Sequence, residues 1–501
     1  MNLMTLLEMA HSAFGDRVGV QNGSDTLTYS ELFGAAGGAA GEVQASGAQY
    51  VGVLDVSSLA VPVALFSSAW AGVPYVPLNY RQTASELEAL VARLAPSYLV
   101  TDSDRVDALQ KLPDTTVVSR EDFLSKTRTR SGEASNWPMD PDAIAILLFT
   151  SGTTGAPKAA VLRHKHMTSY ILGSVEFGAA AEEDAALVCV PPYHVAGIAA
   201  ILSSVYAGRR VVQLPDFSAA KWIELARAER ITNAFVVPTM LTRIVDALEG
   251  SGRVDLPHLR ALSYGGGKML LSVIERAMKL FPETAFTNAY GLTETSSTIT
   301  LLGPEDHRAA AASQDPAVRQ RLTSVGRSLP GLEIEIRDPE GKKLGANQSG
   351  EIYVRGEQVS GEYLGRETLV ESDGFFPTRD GGAIDAEGYL FVEGRIDDII
   401  VRGGENLSPG EIEEVLLEHE AVADCAVIGV PSEQWGEAVA AVIVLHEKRT
   451  AGADELRAWV QERLRSSRAP ERIEFWRELP YNETGKLLRR ELRAALAGEA
   501  S

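Results

Sequence analysis

The chain has 501 residues, 45% apolar and 23% charged, a make-up that excludes a disordered or fibrous protein. Single hydrophobic cores stop growing at roughly 250–300 residues, so two or more domains are expected. With 47 basic against 68 acidic side chains the formal charge is −21, which repels a phosphate backbone and excludes nucleic-acid binding as the main task.

The N-terminus, Met1 to Glu8, has no basic segment and meets Glu8 and Asp16 early, so it does not read as a signal peptide. Two cysteines, Cys189 and Cys425, cannot form a disulfide framework or a thiolate metal site, and a cytoplasmic setting is expected. The uncharged run 56–80 is interrupted by Pro62, Gly72, Pro74 and Pro77; it reads as a buried strand–helix–loop and not as a membrane span.

Through the first three quarters, short apolar runs alternate with longer Ala/Leu/Glu segments, the pattern of strands and helices in an α/β protein. Candidate buried strands are Tyr50–Asp55, Ala143–Phe149, Asn233–Val237 and Ala285–Ala289. Between about Ser324 and Gly394 the pattern changes to period two, as in Leu332–Ile336 and Glu351–Val354, which predicts a small antiparallel sheet or barrel. Beyond it, Ser408-Pro409-Gly410-Glu411 has the form of a capping box. Ile412, Val415 and Leu416 then share a helical face, Ala426–Val430 and Ala438–Leu445 read as strands, and Asp454–Leu464 reads as an amphipathic helix. The expected architecture is therefore α/β: residues 1–395 as a large N-terminal domain and 396–501 as a small α+β domain.

The densest chemistry lies in Thr150-Ser151-Gly152-Thr153-Thr154-Gly155-Ala156-Pro157-Lys158, directly after a predicted strand. Hydroxyls, one ammonium and amides exposed by glycine can converge there on a polyanion. It is a phosphate cradle without the G-x-x-x-x-G-K-[ST] pattern. A second cluster, Tyr290-Gly291-Leu292-Thr293-Glu294, also follows a strand. Glu294 offers the hard oxygen that Mg²⁺ prefers, Thr293 a phosphate contact and Tyr290 a stacking face.

Taken with Gly350–Gly356, Gly394-Arg395-Ile396-Asp397-Asp398 and Asn482-Glu483-Thr484-Gly485-Lys486, these motifs occur in the order that resembles the adenylate-forming superfamily: acyl- and aryl-CoA synthetases, peptide-synthetase adenylation domains and firefly luciferase. The resemblance spans essentially the entire chain and is nearest to the acid–CoA ligases. It implies an N-terminal AMP-binding domain of two layered α/β subdomains and a β-barrel-like subdomain, followed by a mobile lid domain. It implies activation of a carboxylic acid by ATP with Mg²⁺, then transfer to CoA, or in relatives to an amine or nitrite. An inactive nucleotide-binding regulator on the same scaffold is the remaining alternative.

Carried over by residue, the resemblance gives Thr150, Ser151, Gly152, Thr153, Thr154, Gly155 and Lys158 to the ATP phosphates, and Glu294 to Mg²⁺ with Thr293 beside the phosphates. Asp380 and Arg395 fall on the ribose, and Gly265, Gly266 and Tyr290 border the adenine and acyl pocket. His194 lines that pocket or simply packs. Asp397 is the hinge and Lys486 the lysine delivered to the attacking carboxylate. The acid's identity is expected to depend on packing near Phe235, Tyr264 and Tyr290.

Departures and ambiguities remain. Arg379 replaces the glycine that usually precedes Asp380, and is expected either to pair with an acid or to face solvent. Ser466-Ser467-Arg468-Ala469-Pro470 replaces an aromatic-Lys-x-Pro segment near the thiol tunnel, which weakens CoA, whereas Arg81 and Trp435 occupy positions that fit it. The absence of Asp at position 233 disfavours an α-amino acid. His164 and His166 lack further metal ligands nearby and are expected at a solvated helix start.

Overall fold

The computed structural model describes residues 1–129, 136–150, 158–251, 254–403, 405–432, 434–481 and 487–498. They build a large N-terminal domain with several sheets and a small C-terminal domain. The first sheet has six strands in the order Thr115–Ser119, Ser97–Thr101, Tyr50–Leu54, Tyr75–Pro77, Ile144–Thr150, Lys158–Arg163. All are parallel except the last, which turns back on Ile144–Thr150. Val51 and Val53 face one apolar cluster and Leu54 and Leu99 another; a parallel sheet covered on both faces needs such unbroken apolar runs.

The uncharged 56–80 run supplies a helix, Ala60–Ala71, and the Tyr75–Pro77 strand. The helix is buried on every side from Ala60 to Trp70 and stops at Gly72, whose φ of 77° is left-handed. No helix among the described residues is long and apolar enough to cross a membrane.

The second sheet has nine strands. Its parallel centre runs Ala285–Leu292, Ala261–Gly265, Asn233–Val236, Ala185–Val188, Arg210–Gln213. Asn233 stands opposite both Ala186 and Ala261, and Ser263 opposite Phe235 and Thr287. One set of alternate residues, including Leu262, Tyr264 and Phe286, enters a core with Trp222 and Ile274. The other set faces the helix Val195–Ala207.

The period-two region forms an antiparallel sheet of Glu333–Arg337, Gly350–Arg355, Phe376–Ile384 and Leu390–Arg395. The C-terminal domain centres on Val422–Ser432 and Gly436–Leu445, longer than the strands expected. Alternation there serves two cores: Val427, Ala441 and Ile443 meet helices Pro409–Leu417 and Ala453–Arg463, while Ala426, Ile428 and Val442 meet Leu492 and Leu496.

Two local expectations fail. Pro409 begins its helix as predicted, but Ser408 makes no capping bond; its Oγ donates instead to the Glu393 carbonyl at 3.1 Å, tying the C-terminal helix to the N-terminal domain. His164 does open a helix, yet His164 and His166 are 2% and 5% exposed and not solvated. Their Nδ1 atoms accept the N–H groups of Leu3 and Arg163, each at 3.2 Å. Burial pushes both imidazoles down to about 4, so they serve as neutral acceptors inside the core.

Candidate functional site

Strand alternation places Thr378 and Asp380 inward and Arg379 outward, and register sets Asp380 opposite Arg395. Asp380 is 7% exposed. Its Oδ2 accepts from the Tyr290 hydroxyl at 2.6 Å, and its Oδ1 lies 3.1 Å from Arg395 Nε. Arg395 Nη1 donates to the Thr378 carbonyl at 2.9 Å. Burial, reinforced by the Asp380 charge, holds the Tyr290 phenol well above its ordinary pKa, so it stays a donor. A buried carboxylate with a cation and a phenol avoids the cost of an unpaired charge.

Tyr290 is delivered by the strand Ala285–Leu292, after which the chain tightens into the turn Thr293–Thr295. A Cβ at Gly291 would stand 1.7 Å from the Ser297 carbonyl oxygen, so only glycine fits between Tyr290 and that turn. Ser296 and Ser297 hold φ of 59° and 111°, a strained backbone. The Glu294 carbonyl accepts from Ser360 N at 2.8 Å, and its Oε1 accepts from the Tyr363 hydroxyl. Lys158 Nζ lies 5.9 Å from the Tyr363 ring.

Tyr363 thus joins Glu294 to Lys158, a role the sequence reading missed. Its signal lay in pairing: Val161 N donates to the Glu362 carbonyl, Leu364 N to that of Ala159, and Arg163 grips Glu362 at 2.6 Å. Thr150 ends its strand directly opposite Lys158, which closes the cradle's two ends on each other. Ser151, Gly152, Thr153, Thr154, Gly155 and Lys486 lie outside the described residues. Thr293 sits at the head of the Glu294 turn, with its carbonyl accepting from Ser296 N.

Gly265 ends its strand against Ala289, whose carbonyl oxygen would be 2.1 Å from a Cβ there; Gly266 follows with φ 81°. Below them lies a cavity of about 250 Å³. Its sheet wall carries Ala186, Ala261, Ser263, Thr287 and Ala289. Its helical wall carries Ala196, Ala199, Ala200 and Ser203, one face of the Val195–Ala207 helix. Small residues on both walls leave a space that larger ones would fill. Of Phe235, Tyr264 and Tyr290, Phe235 lines it and the other two are not among its lining residues; Tyr264 points through the sheet, fully buried, with its hydroxyl 2.8 Å from His307 Nε2. His194 precedes the helical wall, its ring 4.6 Å from that of Tyr193, and burial pushes its pKa down to about 4.

Arg379 pairs with an acid, and the acid is Asp397, at 3.1 Å; both side chains are exposed. The Arg379 N–H also donates to Glu351 Oε1 at 3.1 Å, with φ at 62°. The next residue, Asp398, turns the other way, to Arg493 at 3.0 Å and Arg489 at 3.5 Å in the C-terminal domain. Adjacent acids therefore hold the two sides of the connection. Lys268 Nζ adds a bond to Glu414 across it at 3.2 Å. Arg81 lies over Tyr80 and Arg402 over Trp435. Arg468, in the departing segment, is committed to Glu405 and Glu411.

Residues 7–364 match the family model described as AMP-binding enzyme, and 411–486 that of its C-terminal domain. The chain belongs to the adenylate-forming superfamily. The enzyme is 32% identical to a fatty acid–[acyl-carrier-protein] ligase, ScoC, of Streptomyces coeruleorubidus, over 95% of this chain and 93% of that one. It superposes on the o-succinylbenzoate CoA synthetase of Bacillus subtilis in complex with its acyl-adenylate intermediate at TM-score 0.84 and 28% identity, covering 97% of each. ATP-bound MatB of Rhodopseudomonas palustris gives 0.87 and 27%, covering 99% of each.

Proposed function

We propose that the enzyme is an acid–CoA ligase: it activates a carboxylic acid as an acyl-adenylate with release of pyrophosphate, then passes the acyl group to the thiol of CoA. The observation that carries this reading is the Tyr290–Asp380–Arg395 cluster standing one residue along the strand from a cavity wall, at Ala289. A nucleotide held at the one meets an acid held in the other.

Asp380 and Arg395 would hold the ribose, while Gly265, Gly266 and Tyr290 border the base. Lys158 and the cradle 150–155 would take the phosphates, with Thr293 beside them. Glu294 offers Mg²⁺ a carboxylate oxygen not used by Tyr363, which fits a hard cation. Bound there, Mg²⁺ would supply neutralisation of phosphate charge. A carboxylate attacking the α-phosphate brings two anions together. Lys158 and Lys486 would screen that repulsion, and AMP then leaves more readily than oxide could. His194, neutral at pH 7, would line the acid's entry without adding charge.

A boundary near residues 395–396 would let the C-terminal domain swing as a lid about Asp397, which is held by Arg379 on one side while Asp398 is held by Arg489 and Arg493 on the other. Lys486 must cover the nucleotide in the first half-reaction, and the thiol must enter in the second. ATP and CoA as substrates, with Cys189 and Cys425 free and buried, suit a cytoplasmic enzyme. The test is pyrophosphate release over a panel of acids, with CoA, an acyl carrier protein and amines as separate acceptors. Acid-dependent release followed by CoA thioester is the expected result; release that yields only amide, or only carrier-protein thioester, would replace CoA as the acceptor.

A further inference from the structure

One wall of the acid cavity carries a charge that its small residues do not explain. The helix Val195–Ala207 ends at Gly208, and the following residue, Arg209, lines the cavity. Arg209 immediately precedes the strand Arg210–Gln213, whose first residue pairs with Ala185, so it lies at the N-terminal end of the parallel strands beside Ala186 and Asn233. Gly265 is at the opposite end. Four strand residues, about 13 Å, separate it from Ala261 at the Arg209 end.

The neighbouring arginines are satisfied. Arg210 binds Glu229 at 2.8 Å, and Arg260 pairs with Asp184. Among the described residues Arg209 is held by its backbone: its N–H donates to the Ser204 carbonyl at 2.8 Å, and its carbonyl accepts the Tyr29 hydroxyl at 2.9 Å. Among the described residues no carboxylate forms an ion pair with it, and its Nε is buried without a hydrogen-bond partner. Asp184 attracts it through space, but those oxygens are engaged by Arg260 and by Ala181 N–H at 2.9 Å. Burial accordingly lowers the guanidinium's pKa. Asn233 lines the same end, its Oδ1 accepting from Thr232 at 2.8 Å, which leaves its amide N–H groups as donors.

A half-buried arginine whose Nε is shut away from water with no anion bound to it carries a desolvation cost that a ligand's charge can offset. We propose that Arg209 receives a second carboxylate at the far end of the acid, so that the enzyme activates dicarboxylic acids long enough to span the cavity. One carboxylate is presented to the nucleotide near Gly265, and the other is bound by Arg209 with Asn233 beside it. The proposal rests on the adenylation reading above.

The test is pyrophosphate release with unbranched dicarboxylates of about eight to ten carbons, matched to the ~13 Å cavity, against monocarboxylates of equal length. The wild type favours the diacid in kcat/KM. Arg209→Ala raises the diacid KM by ~10–10²-fold, the usual scale for losing a charge-assisted bond, with kcat changed far less. The same variant improves kcat/KM for the monoacid, whose apolar end no longer meets a cation, so the preference inverts. Arg209→Lys keeps part of the diacid preference. Equal loss on both acids in Arg209→Ala overturns the proposal, as does a wild-type preference for monoacids; the wild-type ratio decides even if a variant does not fold. Release from monoacids alone removes this inference and leaves adenylation standing, whereas absence of release with every acid removes both.

Discussion

The two ends of the site are built on opposite rules. At the end proposed for the nucleotide, Asp380 is bonded by Tyr290 and Arg395, and Glu294 by Tyr363. At the end proposed for the acid, alanine, serine and threonine on the facing sheet and helix leave room beside larger residues such as Phe235, and the one cation is unpaired among the described residues. A ligand that never varies can be met by groups already locked by one another, at no reorganisation cost. A ligand that distinguishes one enzyme from its relatives is met by volume and by one placed charge. Both devices rely on the same strand, Ala285–Leu292, which contributes Ala289 to one and Tyr290 to the other.

The sharpest test of the nucleotide end is Lys486→Ala, expected to lower ATP–pyrophosphate exchange by ~10²–10³-fold while ATP still binds by calorimetry. Unchanged exchange would remove Lys486 from the chemistry. Asp380→Ala comes next: it takes the shared carboxylate from the half-buried Arg395 and the Tyr290 hydroxyl, and should raise the ATP KM by ~10–10²-fold. If the acid KM rose as much, the two ends would not be separable. Filling the other end with Ala199→Leu should raise the KM for long acids by about tenfold, on the scale of an overpacked core, and leave that for ATP alone.

The histidines set a smaller effect. His164, His166 and His194 have folded pKa values of about 4 against about 6.5 unfolded. The unfolded chain binds more protons in that window, so stability is full above about 6.5 and is lost as pH falls towards 4. Thermal unfolding followed across that range should show the decline, and His164→Gln should flatten it. The smallest change is Arg379→Ala, which breaks an exposed pair worth under about 1 kcal/mol. Its readout is not stability but the ratio of thioester formation to adenylation, since the pair grips the connection at Asp397; an unaltered ratio would make the contact a surface ornament.

What could be read in advance was chemistry carried by contiguous residues. The Tyr290–Glu294 and Gly394–Asp398 segments declare themselves because each concentrates polar groups where a strand gives way to a turn. Alternation similarly announced the antiparallel sheet of Glu333–Arg337, Gly350–Arg355, Phe376–Ile384 and Leu390–Arg395. Ser408 misled, because a capping box is a local pattern that lost to a carbonyl, that of Glu393, brought from another domain. His164 misled for a related reason: charged neighbours in sequence said nothing about Leu3 and the N-terminal helix packed over it.

The sequence by itself determined the family, the α/β class and the motifs proposed to meet ATP, because such groups follow one another along the chain. Only the tertiary structure decided that Tyr264 turns away from the cavity, that Tyr363 bridges Lys158 and Glu294, and that Arg379 holds Asp397. The cavity belongs to the second group as well. Ala186 and Ala199 are unremarkable in their own strand and helix; a void exists only where two such faces are set against each other, and an arginine is conspicuous only when, as among the described residues here, no acid forms an ion pair with it.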